Sequence, residues 1–210
     1  MEGVNTRTFD QLDNDSMCQV RAWTGLYAEE FGIKLDPSFI EFPERQSGFG
    51  RLIIVAHGVT AHKARCALKP YLGRIREANL ARTLDDFYID HDRDASKGSY
   101  AIWVRNEIES RLLYQAAFPV FKMQVQTLTE WLLQLLSLRR ETGAPLNVRT
   151  GTLCAGSRSR RGLMPVVDCS PLYYCNDAMS VYASSELKRS PFGLASRTPS
   201  QIAVREVIAV

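Results

Sequence analysis

The sequence predicts an α+β fold: a single domain with a mixed, mostly antiparallel sheet and two or three helices packed on it. Three observations carry this. A chain of 210 residues that is 45% hydrophobic and 10% aromatic suits one domain with a proper core. Leu52–Ala56 and Tyr100–Val104 are short runs of aliphatic, β-branched and aromatic residues, as strands require. From Thr127 to Gly143 the apolar residues instead recur at helical spacing.

Residues 1–15 are polar and acidic and read as a flexible lead-in; 16–210 form the domain. Ser16 is placed to cap a first helix whose apolar residues fall at Met17, Val20, Trp23, Tyr27 and Phe31, with Gly32 as its stop. The segment 33–50 is extended, interrupted by Pro37 and Pro43. Leu52–Ala56 is continuously apolar, which predicts a central strand covered on both faces. His57-Gly58-Val59-Thr60 turns it into a second helix, which Pro70 ends near Lys69. The run 74–87 has an imperfect helical period, with Ile75, Leu80, Leu84 and Phe87 inward. Tyr100–Val104 is a strand and 106–118 reads as helical. Thr127 and Glu130 then make a capping box for the clearest helix, with Leu128, Trp131, Leu132, Leu135 and Leu136 on one face and Gly143 beyond its end. Val148–Cys154 and Leu163–Asp168 read as strands around the loop AGSRSRRG, residues 171–176 as a further short strand, and 201–210 as a final strand of the sheet.

Composition excludes more than it assigns. A formal charge of +3 does not by itself demand a nucleic acid or an anionic membrane. No apolar run approaches the roughly 18 residues that span a bilayer, and the first residues lack a signal-peptide pattern. Five cysteines, an odd count without a CxxC pair, point to free thiols in a reducing, cytoplasmic setting and not to a disulfide or zinc scaffold. No cofactor motif is present. Asp90, Asp92 and Asp94 alternate as in a calcium loop, but Ala95 and Ala101 stand where that loop needs Gly and Glu. The three histidines, His57, His62 and His91, lack metal-ligand spacing.

Three functional readings follow. The first is binding of an anionic partner, nucleic acid first. Between Arg139 and Arg161 there are six arginines (Arg139, Arg140, Arg149, Arg158, Arg160, Arg161) and one acid, Glu141. Arg158, Arg160 and Arg161 lie in a loop with Ser157 and Ser159, flanked by Gly156 and Gly162, and Arg149 precedes it. Guanidinium groups and hydroxyls in such a loop suit phosphate, and Tyr173 or Tyr174 would offer a ring for stacking. The second is a small Cys/His hydrolase or transferase: Cys154 and His57 both close strands, and Asp168 is an acid able to orient the imidazole. The third is an assembly subunit that pairs through the 128–142 helix, where Leu133 and Leu138 broaden the apolar surface, or through its C-terminal strand. Whether the six acids between Glu77 and Asp94 neutralise the arginine loop is decided by the fold.

Overall fold

Helix α3, Leu128–Thr142, is the centre of the molecule: every residue from Leu128 to Arg139 is buried. A computed structural model describes residues 5–72, 74–77, 84–89, 93–108, 111–112, 124–146, 150–159, 164–169, 178–183 and 202–210. The helix starts on the capping box and ends at Gly143, whose φ of 69° is the left-handed conformation that glycine adopts without a steric penalty. A helix buried all round must be covered on every side. Helix α2 (Ala61–Leu68) and strand β3 (Arg51–Val55) pack directly against it. Leu133 and Leu138, read as surface for an oligomer contact, are 0% and 8% exposed within the one chain.

The strands divide between sheets where the sequence predicts one. β3, β6 (Tyr100–Val104) and β13 (Val207–Ala209) form an antiparallel sheet in the order β13-β6-β3. A six-stranded mixed sheet runs β4-β11-β10-β8-β12-β7: β4 is Arg74–Glu77, β7 Arg111–Leu112, β8 Gly151–Leu153, β10 Pro165–Asp168, β11 Ala178–Ala183 and β12 Ile202–Val204. Its β4·β11 and β12·β8 pairs are parallel. Two short pairs complete the fold, β1 (Thr6–Arg7) with β2 (Phe42–Pro43) and β5 (Phe87–Ile89) with β9 (Ser157–Ser159). One apolar cluster joins α3 to both large sheets, including Ile53 and Ile102 from one and Val167 and Met179 from the other. The C-terminal stretch enters both sheets in turn, β12 and then β13. At the crossing, buried Arg205 donates to the carbonyls of Glu107 and Ile108.

Several expectations are corrected. Helix α1 (Asn14–Phe31) begins three residues earlier than Met17, because Asp13, not Ser16, is its cap and accepts from Ser16 N at 2.7 Å. Within the lead-in, β1 pairs with β2 and Arg7 pairs with Glu44. The helix read over 74–87 is contradicted at 74–77, which pairs with β11, and at its end, where 87–89 pairs with β9, the cross-chain ladders overriding a weak helical period. The helix read over 106–118 is contradicted at 111–112, which pairs with β12. The strand read at 171–176 lies outside the described residues.

β3 is not a central strand either. It is an edge, and α1 covers it with polar tips in place of another strand. Gln19, Trp23 and Tyr27 recur at i, i+4 and i+8. Gln19 accepts from Leu52 N (2.8 Å) and donates to Gly50 O (3.1 Å). Trp23 Nε1 donates to Leu52 O (2.9 Å), and Tyr27 Oη donates to Ile54 O (2.6 Å) while accepting from Ala56 N (3.1 Å). The stripe that reads as plain core packing is thus a ladder of side-chain hydrogen bonds closing a sheet edge.

Candidate functional site at the start of the central helix

The polar groups of the interior converge on the N-terminus of α3. Thr127 Oγ1 accepts from Glu130 N (3.1 Å), and Glu130 Oε2 accepts from Thr127 N (2.7 Å). The other carboxylate oxygen of Glu130 accepts from Arg93 Nε at 3.0 Å and from the Tyr100 hydroxyl at 3.1 Å. Arg93 also donates to Val125 O at 2.7 Å. Glu130 is 0% exposed and Arg93 8%. A buried carboxylate is tolerated only when charge and lone pairs are matched, and here Thr127 N, Arg93 and Tyr100 match it. Burial first, and then the Glu130 charge, push the Tyr100 phenol well above its ordinary value, so it stays a donor.

A cleft of about 310 Å³ opens over this network, walled by Arg93, Ser99, Tyr100 and Ala101, with Glu41 at its side and Phe39, 84% exposed, at its rim. Two hydrogen bonds hold the 93–99 turn that carries Ser99. Gly58 N donates to Ala95 O, and His57 N donates to Ser99 Oγ at 2.9 Å. Gly58 has φ 72°, a conformation that would strain a side chain.

His57 therefore sits where the sequence puts it, at the end of β3, exposed and with its ring Nε2 3.2 Å from Ser96 O. Cys154 closes β8 in the other sheet. It is 0% exposed, and its thiol is pushed well above the ordinary value, first by burial and then by Glu130, against a smaller opposing effect of Arg205. Among the described residues no hydrogen bond joins the two. His57 N is held by Ser99 Oγ, and the Glu130 charge acts on the Cys154 thiol. Along the ladder Cys154 N bonds to Pro165 O, and Asp168, read as the acid for the imidazole, lies three residues further along β10, roughly 10 Å at strand rise. A protonated, water-excluded thiol is the reverse of a nucleophile. Accordingly Cys154 is expected to resist alkylation at neutral pH until the protein unfolds, checked by mass mapping with and without urea. Labelling of Cys154 in the folded protein as fast as that of exposed Cys18 would contradict this assignment.

The basic segment does lie in the connection of an antiparallel hairpin, β8 to β10, but its described part, 157–159, is itself a strand. β9 pairs with β5, Tyr88 opposite Arg158, while β8 and β10 pair with each other beneath it. Ser157 and Ser159 are buried, and Arg158 between them is half-exposed. Ser157 Oγ accepts from Leu128 N at 3.0 Å, so the strand is pinned to the first turn of α3. Arg149, Arg160, Arg161, Tyr173 and Tyr174 lie outside the described residues. The acidic segment does run alongside, since β5 directly follows Asp85 and Asp86, but both Asp85 oxygens are engaged at α2, with Thr60 Oγ1 and His62 N. Asp94 accepts from Ser96 N in a turn; Asp90 and Asp92 lie outside the described residues. Arg139 donates to Gly143 O, and Arg140 pairs with Glu29, so neither is a simple extension of the basic strand.

The residues missed by sequence reasoning are Arg93 and Tyr100. The capping box marks Glu130, but its two further partners lie 37 and 30 residues away, and no local pattern signals them. Among the described residues no three His, Cys, Asp or Glu side chains come together to hold a metal, and no helix is long and apolar enough to cross a membrane. Comparison with protein-family models, characterised proteins and solved structures returns no match.

Proposed function

We propose that the protein is a binding protein for an anionic partner, nucleic acid first, contacted through β9 and the arginines that follow it. The observation that supports this reading is the mounting of Arg158. It stands half-exposed between two buried serines, one of them anchored to the buried central helix. A guanidinium on a rigid strand loses less freedom on meeting a phosphate than one on a mobile loop. Arg160 and Arg161 follow directly in the chain.

Fluorescence anisotropy with a labelled single-stranded oligonucleotide tests the reading. Changing Arg158, Arg160 and Arg161 together to Ala is expected to weaken binding at least about 10-fold at low salt. The log–log salt slope is expected to fall by about 2, since each phosphate that is no longer neutralised takes roughly 0.7 from it. Absence of binding by the unaltered protein at low salt, or an unchanged slope in the variant, would refute the reading.

A further inference from the structure

We propose that Cys66 is a nucleophilic thiol that forms reversible mixed disulfides with small anionic disulfides, with His62 as its proton acceptor. The pair lies on α2, outside both the buried network and the basic strand. His62 and Cys66 are four residues apart on one helix face, and Cys66 Sγ is 3.5 Å from His62 Nε2. His62 is exposed and Cys66 half-buried, so the pair meets solvent. This is the arrangement that Cys154 and His57 lack: a thiol and an imidazole in contact, within reach of a reagent.

Two features fix the site. Thr60 caps α2, and Asp85 accepts from His62 N at 2.9 Å, which holds the first turn in place. The His62 ring is directed along the helix toward Cys66. The helix itself is basic. α2 carries Lys63 and Arg65, Lys69 is its C-cap, and the chain has no acid from Arg45 to Arg76. Against these stands one carboxylate, Asp85, which accepts from Thr60 Oγ1 and His62 N. Cations along the helix attract an anionic reagent.

In the step itself, the Cys66 proton passes to His62 Nε2, the ring carrying its other proton on Nδ1. Sγ attacks one sulfur of the incoming disulfide, a new S–S bond forms, and the second sulfur leaves as a thiolate. No external oxidant is needed beyond the disulfide, and excess thiol reverses the step.

The full chain is treated with the dianionic aryl disulfide 5,5′-dithiobis(2-nitrobenzoate) at pH 7, and each cysteine is followed as its own peptide by mass spectrometry. Cys66 is expected to react about 10-fold or more faster than exposed Cys18, and His62→Ala to slow Cys66 by a similar factor. At a pH of about 9.5, where thiols ionise without help, variant and unaltered protein are expected to converge. Equal rates for Cys18 and Cys66, or a His62→Ala rate unchanged at pH 7, would overturn the proposal. A deficit that persists at high pH would also overturn it, since His62 would then be shaping access and not accepting a proton. Far-UV circular dichroism of His62→Ala, a change at an exposed side chain, confirms that the comparison is between folded proteins.

Discussion

Replacing Glu130 by Ala is expected to destabilise the protein by about 3–5 kcal/mol, read as a fall in the urea midpoint with little change in slope. The change removes half of the capping box and leaves three donors facing a void: Thr127 N, Arg93 Nε and the Tyr100 hydroxyl. The largest cost is the loss of the Glu130 carboxylate from beside the Arg93 charge, which is 8% exposed. Removing one member of a buried pair is much worse than removing both. The double change Glu130→Gln with Arg93→Met is therefore expected to cost clearly less than the two single changes summed, with a coupling of about 1–3 kcal/mol. Glu130→Gln alone should fall between, because its amide oxygen still accepts from Arg93 but its amide nitrogen cannot accept from Thr127 N. A Glu130→Ala midpoint within experimental error of the unaltered protein would show that the network contributes nothing to stability.

Tyr27→Phe is expected to cost about 2–4 kcal/mol, since it strands two buried backbone groups, Ile54 O and Ala56 N, at about 1–3 kcal/mol each. The substitution leaves the ring, and so the apolar burial, intact. Burial pushes the Tyr27 phenol well up from its ordinary value, so the hydroxyl keeps its donor role through neutral and mildly alkaline pH. Combining Tyr27→Phe with Trp23→Phe also frees Leu52 O. Three of the hydrogen bonds that close the β3 edge are then gone, and an uncovered edge pairs with other edges. The double variant is expected to self-associate with rising concentration in sedimentation velocity, unlike the unaltered protein under the same conditions. A double variant with unaltered stability and sedimentation would mean that α1 covers β3 by apolar contact alone.

These two sites differ in how far local pattern reveals them. At α3 the capping box, the apolar repeat and Gly143 all lie within one stretch, so both helix ends are readable and correct. That Glu130 also serves Arg93 and Tyr100 is not readable, because the three meet only when β6 and the 93–99 turn fold over the helix start. At α1 the spacing of Trp23 and Tyr27 is visible, but an amphipathic ring looks the same whether its polar tip meets water or a strand backbone. The error at β3 has the same origin: a continuous apolar run says that both faces are covered, not that both edges are.

The candidate sites divide likewise. His57 and Cys154 do close strands, yet the strands belong to different sheets, and only one of the two side chains meets solvent. The cysteine that does touch an imidazole, Cys66, sits four residues from His62, a helical spacing plain in the sequence once the helix over 61–68 is granted. The basic segment 157–159 keeps its charge but changes its nature, from loop to paired strand, because its partner 87–89 is supplied from far along the chain.

What the sequence alone determined is the α+β class, the three helices with the C-terminal stops of α1 and α3, and the β-strand character of Arg51–Val55, Tyr100–Val104 and the C-terminal stretch. All of these rest on periodicity, capping and turn chemistry, which act within a few residues. The tertiary structure decided which strands share a sheet, which edge a helix covers, and which buried charge meets which partner. Those outcomes rest on contacts between segments far apart in the chain, where a group's burial and pairing are set by whatever the fold brings against it.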